Sequence, residues 1–230
     1  MMSKFIAIEG LDGAGKSTQI KLLIDYFDSK NIETRFVHFP RVNQGVFGDL
    51  IAKFLRGEFG NVKDVHPQLV ALLFAEDRKE FADTINEWLS TGYYVLVDRY
   101  VLSNIAFQCA KTEKETEKQS LQKWINHFEY DYNKIPKPDL TIYLDVPFSF
   151  TSNALIEKRG GDERSYLNGK DDIHEKDFSL QREVKKEYDK LIQIDKSISA
   201  IPCYDLNNAM KSKEEIHQLI LTALGMLKAI

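Results

Sequence analysis

Gly10-Leu11-Asp12-Gly13-Ala14-Gly15-Lys16-Ser17 decides how this chain reads. It follows an apolar run, Phe5-Ile6-Ala7-Ile8, and opens a segment in which Ile20, Leu23, Ile24 and Phe27 recur at i, i+3, i+4 and i+7. The order is therefore strand, phosphate loop, helix, with the helix running from Lys16 to Ser29. The G-x-x-x-x-G-K-S/T spacing has a mechanical cause: glycines let backbone N–H groups converge on phosphate oxygens, and the helix N-terminus adds positive potential. Lys16 then neutralises the β/γ charge of a bound nucleotide, and Ser17 offers a hydroxyl to Mg2+. The candidate ATP-binding residues are Gly10, Leu11, Asp12, Gly13, Ala14, Gly15, Lys16, Ser17 and Thr18.

Working outward, Arg35 to Phe39 reads as a second strand stopped by Pro40. A strand-helix-strand order of this length implies parallel strands joined by a right-handed crossover, with helices on both faces of the sheet and ligands at the carboxyl ends of the strands. Arg41, just past the second strand, brings a cation near the phosphate loop. Pro67 to Ser90 forms a long helix with Leu69, Leu73, Phe81, Ile85 and Trp88 as its apolar stripe. Phe74 and Arg78, four residues apart, share a helix face, and a ring beside a guanidinium suits a flat heterocycle.

Tyr93 to Val97 is a continuous apolar run, as expected of a parallel strand buried on both faces, and it ends in Asp98-Arg99-Tyr100. An acid at that position can hold Mg2+. Leu140 to Leu144 also ends in an acid, Asp145, but the cation adjoining Asp98 suits a second phosphate better than Val146 does.

Val101 to Asn133 should be helical, broken by the charged stretch from Lys111 to Lys118. Ser149 to Lys158 is a short helix leading into Arg159-Gly160-Gly161-Asp162-Glu163-Arg164. This polar stretch, continuing to Asp177, is long for a compact domain and reads as a mobile lid over about residues 159–177. Leu180, Val184, Tyr188 and Leu191 mark another helix, Ala200 to Leu206 a fifth strand, and Ile216 to Leu227 a closing helix.

No linker, repeat or low-complexity tract divides the 230 residues, so a single domain is expected over 1–230. A formal net charge of −4 argues against a general nucleic-acid or membrane surface. Cys109 and Cys203 have no metal or C-x-x-C spacing and read as core thiols of a reducing compartment, so the expected location is cytoplasmic. His38, His66, His127, His174 and His217 show no ligand spacing, and none is assigned to catalysis. The guanine-reading N-K-x-D is absent, since Asn133-Lys134 is followed by Ile135-Pro136.

Together these pieces resemble the thymidylate kinases, P-loop nucleoside monophosphate kinases that phosphorylate dTMP with ATP. The resemblance rests on Glu9 to Thr18, Phe39-Pro40-Arg41, Leu73-Phe74-Ala75-Glu76-Asp77-Arg78, Asp98-Arg99-Tyr100 with Ser103, and Pro138-Asp139-Leu140 to Asp145. It implies an α/β, P-loop NTPase fold: three layers, α/β/α, with a five-stranded parallel sheet and a lid. It also implies ATP and dTMP as substrates, Mg2+ held by Ser17 and Asp98, and a homodimer. Asp12 would lie near the sugar 3′-OH, Arg41 and Arg99 would hold the dTMP phosphate, and Phe74 would stack on thymine. Arg78 would reach a thymine carbonyl, Ser103 or Gln108 another base edge, and Phe107 would crowd the position of a 2′-OH; Phe39 and the lid's Tyr166 complete the substrate side. Gly13 stands where some members carry a catalytic arginine, so the chain resembles the branch that uses lid arginines, here Arg159 and Arg164, beside Lys16, Asp98 and Arg99. No acid separates Pro40 from Arg41, a departure from the family pattern. Kinases for other nucleoside monophosphates or deoxynucleosides remain the alternative, and a non-catalytic ATP-binding module a further one.

Overall fold

The computed structural model describes residues 4–157 and 172–226. Five strands, β1 Phe5–Glu9, β2 Thr34–His38, β3 Tyr94–Asp98, β4 Leu140–Asp145 and β5 Ile198–Pro202, form one parallel sheet in the order β2-β3-β1-β4-β5. The chain leaves β1 toward β2 and β3 on one side and later adds β4 and β5 on the other. The carboxyl ends of β1, β3 and β4 therefore frame the crevice where the connections diverge.

Alternation along the strands assigns each side chain to a layer. Phe5, Ala7, Val95 and Val97 pack with Leu180, Val184 and Tyr188, while Ile6, Ile8, Leu96 and Ile142 pack with Ile20, Leu23, Phe27, Ile216 and Ile220. The first group includes helices α3 (Pro67–Ser90), α4 (Val101–Cys109) and α8 (Phe178–Ile194); the second includes α1 (Lys16–Ser29) and α9 (Lys213–Ala223). Three layers result, as expected. Cys109 and Cys203 are buried free thiols, and burial pushes both up to about 12.

Several boundaries differ from the sequence reading. β5 ends at Pro202 and does not reach Leu206, because Tyr204 bridges to Met210 and Asp205 accepts from Asn207 N and Ala209 N in a tight turn. Helix α2, Gly45–Leu55, was not anticipated; a Cβ at its Gly48 would lie 2.2 Å from the Arg41 carbonyl oxygen, so the helix packs directly on that backbone turn. In α3, Leu69 is exposed, whereas Val70, Ala71, Ala75, Ala82 and Ile85 are buried. The helix is flanked by both α2 and α4, and its buried face is wider than one stripe. The region after α4 divides into α5 (Glu115–Asn126) and a π turn, His127–Tyr132, that buries Glu129 completely. After β4 come α6 (Phe148–Glu157) and the short α7 (Ile173–Lys176). Of the expected lid only residues 172–177 are described; Arg159, Arg164 and Tyr166 lie outside the described residues.

Candidate active site

The phosphate loop takes the shape its glycines allow. Gly13 and Gly15 sit at φ 80° and 86°, a left-handed region that a side chain resists. Gly15 is also the N-cap of α1 and provides no side-chain cap, so the first-turn amides stay open to an anion. Lys16 is buried, and its Nζ donates to the carbonyl oxygens of Gly10 at 3.3 Å and Leu11 at 3.0 Å. Burial and Arg99 lower its pKa against the pull of Asp98 and Asp12.

Asp98, at the carboxyl end of β3, is buried beside it. His38 Nδ1 donates to Asp98 Oδ2 at 3.1 Å, and Asp98 Oδ1 is buried without a partner among the described residues. Burial would raise this carboxyl, but Lys16, His38 and Arg99 hold it below its ordinary value. Asp145, at the carboxyl end of β4, is engaged elsewhere, 3.1 Å from Lys185 Nζ and 3.4 Å from Tyr204 Oη. Among the described residues no cluster of three or more His, Cys, Asp or Glu is placed to hold a metal. An orphan carboxylate oxygen and the Ser17 hydroxyl in one cavity nevertheless fit Mg2+, which binds through few protein oxygens together with substrate phosphates and water.

Arg99 adopts a left-handed φ of 65°, pinned by its N–H donating to Ile8 O at 3.0 Å. Such strain in a non-glycine residue persists only where its surroundings enforce it. Its Nη2 lies 2.5 Å from Asp12 Oδ1, its Nη1 donates to Ser103 Oγ at 3.0 Å, and the guanidinium lies 5.1 Å from the Phe107 ring centroid. Burial disfavours the charged guanidinium, yet Asp12 and Asp98 hold its pKa above the usual arginine value. Burial likewise opposes the Asp12 carboxylate, but Arg99, Lys16 and Gln181 hold it far below the ordinary range. Beneath this pair, fully buried Glu9 accepts from Tyr100 N at 2.8 Å, Ser103 N at 3.2 Å, Ser103 Oγ at 2.5 Å and Tyr188 Oη at 3.0 Å. That anchor fixes the start of α4, and with it Ser103 and Phe107.

Arg78, on α3, is buried and meets Glu129 through Nε at 2.5 Å and Nη2 at 2.6 Å. This fork engages Nε and Nη2 and does not involve Nη1. Asn104 Nδ2 donates to the same Glu129 at 2.9 Å and to Ala71 O at 3.0 Å, while its Oδ1 is buried without a partner among the described residues. Gln108 accepts from Lys111 Nζ at 2.8 Å. Arg41 is turned away: its Nε meets Asp77 at 3.0 Å and its Nη2 meets Glu80 at 3.1 Å.

These groups share one cavity of about 860 Å³, lined from the loop (Asp12, Lys16, Ser17, Thr18) through Asp98 and Arg99 to Phe39, Phe74, Arg78, Ser103, Phe107 and Gln108. Within the loop, Leu11 and Ala14 are buried in the core. Sequence reasoning missed Asn104, His38 and His174, which also line the cavity. Asn104 carried a usable signal, since it lies three residues from Phe107 and four from Tyr100 on one turn-spaced face. Glu129 carried none, because its partner Arg78 is 51 positions away; Glu9 stands in the Glu9–Thr18 stretch, but its partners Tyr100 and Ser103, 91 and 94 positions away, were not legible.

This arrangement sets the glycine loop with Lys16, a second cation at Arg99 and the rings of Phe74 and Phe107 around a single crevice. The thymidylate kinase family model matches residues 8–220. The chain belongs to the thymidylate kinase family. It is 32% identical over 230 residues to a probable thymidylate kinase of Thermococcus kodakarensis, covering 97% of this chain and 98% of that one. It is 33% identical over 187 residues to the thymidylate kinase of Mycobacterium tuberculosis, covering 81% and 84%. Among solved structures, the thymidylate kinase of Candida albicans superposes with a TM-score of 0.71 at 25% identity, covering 97% of this chain and 92% of the other. Membership of this family makes the chain an ATP-dependent phosphotransferase that acts on dTMP.

Proposed function

We propose that the crevice carries out direct, in-line transfer of the ATP γ-phosphoryl to the 5′-phosphate of dTMP, with no covalent enzyme intermediate. Such a transfer asks little bond-making of the protein and much positioning and charge neutralisation. Lys16 and the loop amides, from Gly10 to Thr18, hold the triphosphate; Arg99 holds the acceptor phosphate. Ser17 and Asp98 would hold Mg2+, which when bound neutralises charge on the phosphate oxygens. Phe74 stacks on thymine, Arg78 Nη1 and Asn104 Oδ1 meet its edge, and Phe107 fills the space beside the sugar. Arg159 and Arg164 of the lid act on the transferring group. Arg41 reaches the acceptor only by leaving Asp77 and Glu80.

The observation that carries this reading is that Lys16 and Arg99 line one cavity, with Asp12 facing both. A coupled ADP-release assay over a panel of nucleosides and monophosphates tests it: dTMP should be the best acceptor, and a better one among the panel contradicts the substrate assignment. A cytoplasmic location is proposed from the free thiols Cys109 and Cys203. No helix among the described residues is long and apolar enough to cross a membrane. The family resemblance supports a homodimer, and light scattering should give twice the 26.6 kDa chain mass.

A further inference from the structure

His174 lies in α7, where the chain returns from the segment read as a lid, and its ring lines the substrate cavity. The ring is 5% exposed, stacked on Phe107 with centroids 5.3 Å apart and planes at 25°, and set edge-on against Phe54 at 5.2 Å. Its Nε2 is buried with no partner among the described residues. An unpaired buried nitrogen is costly, so one that persists at a cavity wall points to a ligand that satisfies it.

The surroundings fix which part of the ligand that is. Gln181 Nε2 donates both to the His174 carbonyl at 3.1 Å and to Asp12 Oδ2 at 2.9 Å, while the His174 amide donates to Asp172 Oδ1 at 2.7 Å. His174 is thereby tied to Asp12 and Arg99, yet its ring also packs on Phe54, whose apolar cluster includes Phe74, so it borders both groups of cavity residues. With the phosphate at Arg99 and the base at Phe74, what lies between is the sugar.

We propose that His174 is a specificity-determining residue, its Nε2 hydrogen-bonding the single sugar hydroxyl of dTMP, the 3′-OH. This rests on the acceptor placement proposed above. Burial holds the imidazole's pKa well below its ordinary value, which leaves a neutral, weakly hydrated partner suited to an uncharged hydroxyl. The aromatic flanks Phe54 and Phe107 would keep the same ring in place whether or not substrate is bound.

The test compares dTMP with its 3′-deoxy analogue in the wild type, His174→Phe and His174→Gln. Phenylalanine keeps the stacking and removes the nitrogen; glutamine keeps a polar terminus. The ratio of kcat/KM for dTMP over the 3′-deoxy acceptor should fall about fivefold or more in His174→Phe and recover at least in part in His174→Gln. Independently of any variant's folding, the imidazole 15N signals of His174 in the wild-type protein should shift on adding dTMP and much less on adding the 3′-deoxy analogue. An unchanged ratio in a folded, active His174→Phe protein, or equal shifts with the two acceptors, overturns the assignment. Failure of the wild type to phosphorylate dTMP would instead overturn the acceptor placement on which it rests.

Discussion

Arg99 Nη2 lies 2.5 Å from Asp12 Oδ1, joining the end of the third strand to the phosphate loop across 87 positions of sequence. Without substrate the pair keeps two half-buried charges compensated. In the proposed function the guanidinium exchanges a carboxylate oxygen for a phosphate oxygen, so the acceptor site would be preformed with its charge already positioned.

Arg99→Ala should lower kcat/KM for dTMP by about a hundredfold or more while the ATP KM stays close to wild type. Arg99→Lys should restore little, because one ammonium cannot span Asp12, Ser103 and a phosphate. Steady-state kinetics with each substrate varied in turn checks both. An ATP KM that rises as far as the dTMP KM would place Arg99 on the donor side.

The Arg78–Glu129 pair is buried and bidentate, so removing one charge strands the other. Glu129→Gln should destabilise the protein by about 3 kcal/mol or more. That corresponds to a loss of roughly 6–12 °C in Tm. The dTMP KM should rise as well, since glutamine offers one acceptor oxygen where Glu129 offers two to Arg78 Nε, Arg78 Nη2 and Asn104 Nδ2. The double variant Glu129→Leu with Arg78→Met should recover much of the Tm but none of the dTMP affinity.

Lys111 supplies the pH test. It sits over the Phe54 ring, 5.0 Å from its centroid, and burial lowers its pKa from 10.5 to about 7. Between those values the unfolded chain binds a proton that the folded chain has released, so stability rises with pH across this window. Below about pH 7 the penalty for charging the buried amine is fully present. Lys111→Met should therefore raise Tm clearly at about pH 6.5 and by much less at about pH 9.5. A gain that is independent of pH would show that the amine is not held deprotonated.

Asp98→Asn should lower turnover by about a hundredfold and move the Mg2+ dependence to higher concentration. The carboxyl is held below its ordinary value, so its contribution to stability is present at neutral pH and lost only as pH falls through that depressed value. Titrating activity with Mg2+ at fixed ATP separates a metal role from a structural one. An unchanged Mg2+ midpoint in a folded Asp98→Asn protein would assign the orphan Oδ1 to something else.

The sequence announced the sheet and the loop because both are written locally. Apolar runs such as Phe5–Ile8 and Tyr94–Val97 are buried strands wherever they fall, and glycine spacing alone bends the loop. It also announced Phe74, Arg78, Asp98 and Arg99, since each sits at a helix spacing or strand end that topology carries to the crevice. What it did not announce depends on contacts between distant segments. Glu129 is buried by a π turn with no compositional signature, Arg41 is captured by Asp77 of α3, and His174 enters the cavity only because its ring packs between Phe54 and Phe107.

A bisubstrate ligand, adenosine and thymidine joined through their 5′-oxygens by five phosphates, asks whether Lys16 and Arg99 serve two phosphate groups facing each other in one crevice. Inhibition kinetics should show competition against both ATP and dTMP, with binding tighter than dTMP alone by about a hundredfold or more, as linked occupancy of two adjoining sites requires. Competition with one substrate only, with the other still binding alongside the ligand, would contradict it.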